Sequence, residues 1–267
     1  MLAAHGLRPK KRFGQHFLTD PSAAARIAEA CIPPGIARVI EVGAGTGALT
    51  HALVALGANV TAIEIDAGLV EILREREDLR AARIVHADAL TFDYGLAASG
   101  EPWCAAGNLP YNVATPLITN WLGAEDAPER IVAMIQRDVA DRLTAKPSTP
   151  AYGSLTLYAN YWATIARAFV LGPGAFYPRP AVNSAVVVLV RRPQPAVSVR
   201  DPALLLQVVR GAFAYRRKTL ANSLSLALGI DRTRTQAALG ALNLDTEIRA
   251  EQLDLGAFGA LADRLAP

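Results

Sequence analysis

The chain has 267 residues, of which 52% are hydrophobic and 19% charged, so it can bury a sizeable core, and global disorder is excluded. Its two cysteines, Cys31 and Cys104, show neither a pairing framework nor metal-ligand spacing, which indicates a reducing compartment and predicts no metal site. No stretch approaches the roughly 20 apolar residues of a membrane span, and the N-terminus lacks the apolar region of a secretory signal, so we expect a cytoplasmic protein.

Short apolar runs alternate with amphipathic stretches from residue 38 onwards. Five of the runs predict strands, at residues 38–42, 59–64, 83–88, 103–108 and 131–136. The stretches between them have helical period at residues 47–56, 67–76 and 115–122. Two more strand-like runs, 164–171 and 184–191, are expected to pair antiparallel at the sheet edge. This alternation predicts an α/β fold with a doubly wound, mostly parallel sheet.

The last quarter of the chain has a different pattern. Residues 191–202 contain three prolines and read as a linker. The stretches beyond it have helical period at residues 203–214, 218–228, 232–242 and 256–265. We therefore predict two domains: a doubly wound domain over residues 1–195, which begins with a basic arm, and a small all-helical domain over residues 200–267.

Each of the first four predicted strands ends in a side chain that can form hydrogen bonds. These side chains are Glu41, Glu64, Asp88 and Asn108, about one strand–helix unit apart. Because the carboxyl ends of parallel strands meet at one edge of the sheet, where doubly wound folds bind ligands, we expect the four to gather around a ligand site.

A glycine-rich loop, EVGAGTGALT, follows the first of these strands. Gly43, Gly45 and Gly47 allow a sharp turn from strand to helix and a close approach of the backbone to a ligand. The loop fits NAD and S-adenosylmethionine about equally, since Glu64 lies where a ribose-binding acid belongs in either case. Asp88 favours S-adenosylmethionine slightly, because a carboxylate can accept a hydrogen bond from an adenine amino group.

The run Asn108-Leu109-Pro110-Tyr111 combines an amide, a restricted backbone and an aromatic ring. Pro110 holds Leu109 in an extended conformation, so the Leu109 carbonyl has a fixed direction. The Asn108 side-chain oxygen and the Leu109 carbonyl are two hydrogen-bond acceptors beside the Tyr111 ring. This arrangement matches an exocyclic amine on a planar base that stacks on the ring. Hydrogen bonds from both amine hydrogens to these acceptors favour a pyramidal nitrogen, whose lone pair can attack a methyl group. The alternative is an ordinary strand-to-turn junction, where Asn and Pro are common.

The sequence resembles the adenine dimethyltransferases of small-subunit ribosomal RNA. The likeness runs nearly end to end and includes KKRFGQHFL, EVGAGTGALT, GNLPYNVATPLI, FYPRPAVNSAVV and FAYRRKTLANSL. It implies a class I methyltransferase fold, Rossmann-like, with a small helical C-terminal domain and S-adenosyl-L-methionine as cofactor. The implied reaction is dimethylation of the N6 amines of two adjacent adenines in the 3′-terminal hairpin of 16S rRNA.

The resemblance also assigns roles to individual residues. The expected cofactor site comprises His16, Leu18, Glu41, Gly43, Gly45, Glu64, Asp88 and Asn108. The expected catalytic set comprises Asn108, Leu109, Pro110, Tyr111 and Phe176, with Phe176 as a second ring that clamps the flipped adenine against Tyr111. The alternative for Phe176 is an ordinary core position. Three residues depart from the family pattern: His16 replaces the usual Asn, Ala87 a Gly, and Ala181 a Lys.

Two basic clusters become candidate RNA contacts once the resemblance is taken into account. The RNA-binding residues it implies are Arg8, Lys10, Lys11, Arg12, Arg216, Arg217 and Lys218. Flipping an adenine from its stack costs least in a hairpin loop, which suits the implied substrate. The expected partner is 16S rRNA within an immature small ribosomal subunit, and the protein is expected to be a monomer that contacts no membrane.

Three other functions remain open at this point. The first is a large-subunit rRNA adenine methylase of the antibiotic-resistance type, which shares the glycine loop and NLPY. The second is a binding factor of the same fold in ribosome assembly or transcription, for which Asn108 and Tyr111 would not be required. The third is an NAD-linked oxidoreductase, in which NLPY and the basic clusters would have no role.

Overall fold

The structure is a computed structural model of the whole chain and describes residues 9–10, 14–110 and 113–266. Tyr111 and three residues of the basic arm, Arg8, Lys11 and Arg12, lie outside the described residues. Their expected roles stay predictions. Among the described helices, none is both long and apolar enough to cross a membrane.

A seven-stranded sheet forms the larger of two compact units, which comprises residues 1–140 and 165–191. In chain order the strands are β1 (Phe17–Leu18), β2 (Arg38–Val42), β3 (Asn59–Glu64), β4 (Arg83–His86), β5 (Trp103–Asn108), β6 (Arg130–Gln136), β7 (Ala163–Leu171), β8 (Phe176–Tyr177) and β9 (Ser184–Arg191). The sheet order is β4-β3-β2-β5-β6-β9-β7, and β1 pairs separately with β8. The first five strands of that order are parallel, and β9 is antiparallel to β6, so the predicted doubly wound fold is confirmed.

Helices cover the sheet of this unit. They are α1 (Pro21–Cys31), α2 (Ala48–Ala55), α3 (Ala67–Glu75), α4 (Tyr94–Ala98), α5 (Ala114–Gly123) and α6 (Arg137–Leu143). Asp20 starts α1 by accepting the amides of Ser22 and Ala23, and Pro21 occupies the first turn. Asp66 caps α3 in the same way, which fixes the chain immediately after Glu64. The buried faces of α1 and α2 and the sheet share one apolar core.

The second unit comprises residues 141–164 and the chain from residue 192 onwards. Its helices are α7 (Ser154–Trp162), α8 (Pro202–Ala212), α9 (Leu220–Leu228), α10 (Arg232–Gly240) and α11 (Leu255–Leu265). Leu157 and Tyr161 of α7 are buried in the same core as Leu205 and Phe258. The chain therefore contributes to this helical unit twice, and α7 is the segment that the sequence did not place there. The domain limits near residues 195–200 stay a prediction from the sequence.

Candidate active site

A cavity of about 300 Å³ lies at the carboxyl ends of β2, β3 and β5. Glu64, Asp88 and Asn108 line it, together with residues of the glycine-rich loop. Glu41 lines an adjoining pocket of about 30 Å³, which Asn108 and the same loop also border. The structure thus brings the four polar residues from the ends of the predicted strands to one edge of the sheet.

The Glu64 carboxylate connects the glycine-rich loop to the start of α3 by hydrogen bonds. Its Oε2 accepts the Gly45 amide at 2.8 Å, and its Oε1 accepts the amides of Ile65 and Asp66 at 2.9 and 3.0 Å. Burial raises the pKa of the Glu64 carboxyl, and these three amide donors oppose that effect. A carboxylate offers about four acceptor positions. One position on Oε2 therefore remains for a ligand hydroxyl, as ribose binding requires.

The glycine-rich loop needs glycine at two positions for different reasons. Gly45 has φ +59, and a Cβ there would lie 3.0 Å from the Phe17 ring. Gly47 has φ +83, and a Cβ there would lie 2.8 Å from Leu79. A larger residue at position 45 would thus displace the N-terminal segment over the cavity. A larger residue at position 47 would disturb the packing beneath the loop.

Asp88 lies two residues beyond the end of β4 and is exposed at the rim of the cavity. Its Oδ1 accepts the Leu90 amide at 2.9 Å, which fixes the carboxylate in a turn. The neighbouring Ala87 amide donates to the Glu64 carbonyl at 3.1 Å, which links the chain before Asp88 to the end of β3. A carboxylate held in this way can accept a hydrogen bond from an amino group of a heterocycle.

The Asn-Leu-Pro run starts at the end of β5, where a close strand contact sets its position. A Cβ on Gly107 would lie 2.3 Å from the Val42 carbonyl oxygen, so only glycine fits there. The Leu109 amide donates to the Met134 carbonyl at 3.0 Å, which fixes the peptide unit that follows Asn108. The Pro110 carbonyl accepts the amides of residues 113 and 114 and so begins α5.

The N-terminal strap, residues 14–19, lies across the cavity. Its strand β1 pairs with β8, and the Thr19 amide donates to the Ala175 carbonyl at 2.8 Å. His16 Nδ1 lies 2.8 Å from the Pro178 carbonyl oxygen, and the His16 carbonyl accepts Asn108 Nδ2 at 2.6 Å. His16 lines the main cavity and Leu18 the small pocket. Both residues expected to close over a cofactor are thus at the site.

Asp66 is contacted by Gln15, at the beginning of the strap, and by Lys10, which precedes the strap in the chain. Lys10 Nζ and Gln15 Nε2 contact the Asp66 carboxylate at 2.7 and 3.1 Å. Although burial acts in the opposite direction, these two donors lower the pKa of Asp66. The structure therefore gives Lys10 a contact near the cofactor cavity, and its expected role in RNA binding stays a prediction. Sequence reasoning missed Gln15 and Asp66 because no local pattern links residues so far apart in the chain.

Phe176 lies in the apolar core, where it is 3% exposed, and pairs with Leu18 across β1 and β8. The next residue, Tyr177, is 60% exposed. The structure does not bring Phe176 to the lining of the cavity formed by the described residues. Its expected contact with a base, like that of Tyr111, stays a prediction.

Glu41 is a buried carboxyl without a complete set of partners. It is 2% exposed, and its Oε2 has no hydrogen bond within the described residues. Burial raises the pKa of Glu41 to about 7, the nearby Thr50 opposes this shift, and the charge of Glu64 adds to it. The small pocket beside it is large enough for one water molecule or an ammonium group.

The second basic cluster lies in the helical unit, on the segment between α8 and α9. Arg216, Arg217 and Lys218 are exposed. Arg216 donates to the Pro150 carbonyl at 3.1 Å, and together with Lys218 it lines a cavity of about 240 Å³. Ser148 and Thr149 complete one wall of this cavity. Glu251 also lines this cavity, so two cations and one carboxylate give it a net positive charge. A positively charged surface with nearby hydroxyl groups suits a phosphate group.

The sequence model of the ribosomal RNA adenine dimethylase family matches residues 6–265 of the chain. A relative from Magnetococcus marinus, "Ribosomal RNA small subunit methyltransferase A", is 44% identical over 100% of this chain and 95% of its own. Seven further bacterial relatives, with 37% to 42% identity, bear the same name.

Two solved structures show the same fold. A dimethyladenosine transferase from Plasmodium falciparum has a TM-score of 0.78 at 22% identity, over 92% of this chain and 96% of its own. The 23S rRNA methyltransferase ErmE has a TM-score of 0.71 at 26% identity, over 93% and 99% of the two chains. The fold is that of the class I methyltransferases, with a helical C-terminal region. From the family match and the full-length relatives together, the chain belongs to the ribosomal RNA adenine dimethylase family.

Proposed function

We propose that the protein transfers methyl groups from S-adenosylmethionine to the N6 amines of two adjacent adenines in the 3′-terminal hairpin of 16S rRNA. The observation that carries the proposal is the amide of Asn108, held at the rim of the cavity by the His16 carbonyl, within a chain of this family. We further propose that the partner is an immature small subunit in the cytoplasm and that the protein acts as a monomer.

The residues at the cavity fit this cofactor. Glu64 offers an acceptor to the ribose hydroxyls, and Asp88 offers one to the adenine amino group. The glycine-rich loop allows close backbone approach. Glu41, whose Oε2 has no hydrogen bond within the described residues, lines the small pocket, where an ionised carboxylate would stabilise a cationic group. When bound, the cofactor supplies an electrophilic methyl group on a sulfonium.

The chain's own contribution to the reaction is to orient the target amine. The Asn108 Oδ1 and the Leu109 carbonyl are the acceptors that can take its two N–H groups. Both hydrogen bonds favour a pyramidal nitrogen and direct its lone pair towards the cavity. With the cofactor bound, the new N–C bond would form as the methyl–sulfur bond breaks, and the electron pair of that bond would stay on the sulfur. The methylated nitrogen would then lose one proton, which needs no strong base because the alkylated nitrogen is acidic. Positioning of this kind can supply several kcal/mol of the barrier reduction, on the order of 7–11 in favourable cases.

The test is methyl incorporation from labelled S-adenosylmethionine into small subunits that lack these methyl groups, with large-subunit RNA assayed in parallel. We expect label in two dimethylated adenines near the 3′ end of the small-subunit RNA. The similarity to ErmE makes a large-subunit methylase the second candidate, and label in large-subunit RNA would establish it. RNA binding without any label would favour a binding factor of the same fold.

Arg217 and Lys218 are expected to contribute phosphate contacts to RNA binding. Replacing either with alanine should weaken RNA binding and reduce the slope of log affinity against log salt concentration by about 0.7–0.9 per contact. Filter binding or fluorescence anisotropy over a range of salt concentrations measures this slope. Arg80→Ala is the matched control, since Arg80 is an exposed arginine paired with Glu77. Equal slopes for the Arg217, Lys218 and Arg80 variants would contradict the assignment.

A further inference from the structure

We propose that His16 is a positioning residue for methyl transfer, whose imidazole anchors the strap so that its own carbonyl orients the amide of Asn108. The inference rests on the proposed function, because it concerns the group that would orient the target amine. It differs from the expected role of His16, which was contact with the cofactor.

The His16 carbonyl sets the direction of the Asn108 amide. The backbone on either side of this residue is fixed by pairing of β5 with β6 and by the hydrogen bond from the Leu109 amide to Met134. The side-chain amide can still rotate about its last torsion, which is broad and roughly two-fold. The His16 carbonyl lies 2.6 Å from Nδ2, and carbonyl oxygens only accept. The reversed amide would place two acceptors against each other, so the His16 carbonyl selects the orientation in which Oδ1 serves the ligand.

Contacts before, at and after His16 hold its carbonyl in place. The strap is fastened before His16 by Gln15 and Lys10 on Asp66, and after it by β1 pairing with β8. Between these two attachments, the His16 ring bonds the Pro178 carbonyl through Nδ1 at 2.8 Å. Since that carbonyl can only accept, Nδ1 must carry the proton. The ring thus supports the same residue whose carbonyl contacts Asn108.

The two contacts connect three segments that are distant in the chain. Asn108 lies at the end of β5, Pro178 follows β8, and the strap precedes α1. A side chain at position 16 with no N–H at the δ position would lose Pro178 and leave the carbonyl less well fixed. Asparagine also has an N–H on an atom bonded to Cγ. Histidine and asparagine should therefore be interchangeable here, and aspartate, of the same shape as asparagine, should not.

The experiment compares His16→Asn with His16→Asp. We measure single-turnover methyl transfer at saturating cofactor, and cofactor affinity by calorimetry. For His16→Asn we expect a rate within about 3-fold of the wild type. For His16→Asp we expect a loss of about 10- to 100-fold, the size of effect that misplacement of a reacting group by about 1 Å produces. Cofactor affinity should change by less than about 3-fold in both, and melting temperatures verify that both variants fold.

A wild-type rate in His16→Asp would overturn the inference. So would a normal saturated rate combined with weakened cofactor binding, since His16 would then be a cofactor contact only. If His16→Asp fails to fold, nitrogen NMR of the wild-type ring decides, because a neutral ring protonated at Nε2 alone would contradict the Nδ1–H donor. A wild-type protein that methylates no RNA would contradict the proposed function itself, which is a distinguishable result.

Discussion

Replacing Asn108 with alanine is expected to reduce methyl transfer by at least about 100-fold, because one of the two acceptors that orient the target amine is lost. Cofactor affinity should fall only modestly, since Glu64, Asp88 and the glycine-rich loop remain in place. The change also leaves the His16 carbonyl without its donor, so some loss of thermal stability is expected. Single-turnover rates and cofactor binding, measured on the same preparation, separate these effects.

Two further variants sharpen this test. Asn120→Ala is the control for asparagine loss, since Asn120 is exposed on α5, beyond the Asn-Leu-Pro run. Asn108→Asp keeps an oxygen at both positions of the amide but places one of them against the His16 carbonyl. It should lose activity even though an acceptor is retained. Turnover close to the wild type in Asn108→Ala would refute the role assigned to the whole Asn-Leu-Pro-Tyr run.

The strand ends could be predicted from the sequence because they depend on local periodicity and on a rule of parallel sheets. Apolar runs of strand length precede Glu41, Glu64, Asp88 and Asn108. The carboxyl ends of parallel strands meet at one edge of the sheet regardless of how the side chains pack. The helix α1 was missed, although Asp20 and Pro21 form a clear start signal. It precedes residue 38, where the alternation of strands and helices that guided the prediction begins.

The contacts of the strap and the place of α7 could not be predicted in this way. Lys10 and Asp66 are 56 residues apart, and neither has a neighbouring pattern that names the other. Helix α7 joins the helical unit through Leu157 and Tyr161, whose partners come mainly after residue 200. Phe176 and Tyr177 form a two-residue strand, which is too short for alternation to show which ring is buried. In each case packing between distant segments decides the outcome.

Glu41→Gln is expected to stabilise the cofactor-free protein at alkaline pH. The folded protein raises the pKa of this carboxyl from its usual 4.5 to about 7, mainly through burial. Between these two values the folded state holds a proton that the unfolded state releases, so the wild type loses stability as pH rises through this window. The difference in pKa corresponds to roughly 3 kcal/mol at most, reached above pH 7.

Glutamine has the shape of the protonated acid and cannot ionise, so this loss should be absent from the variant. The free energy of unfolding should thus be similar in both proteins near pH 5 and higher in Glu41→Gln near pH 8, by up to about 3 kcal/mol. Urea denaturation at several pH values measures the difference. The pKa of Glu64 is raised as well, and both proteins in the comparison retain this residue. Glu71→Gln, on the exposed face of α3, is the control and should leave the pH profile unchanged.

The same residue should have the opposite effect once the cofactor binds. S-adenosylmethionine carries positive charge, and an ionised Glu41 beside the small pocket would stabilise a cationic group there. Wild-type affinity should therefore increase from pH 6 to pH 8 as Glu41 ionises, and Glu41→Gln should bind more weakly without that increase. If the variant gains stability at pH 8 but binds the cofactor as the wild type does, the charge of Glu41 destabilises the folded protein and does not contribute to cofactor binding. If both changes occur together, the buried carboxyl lowers the stability of the free protein and strengthens its binding of the cofactor.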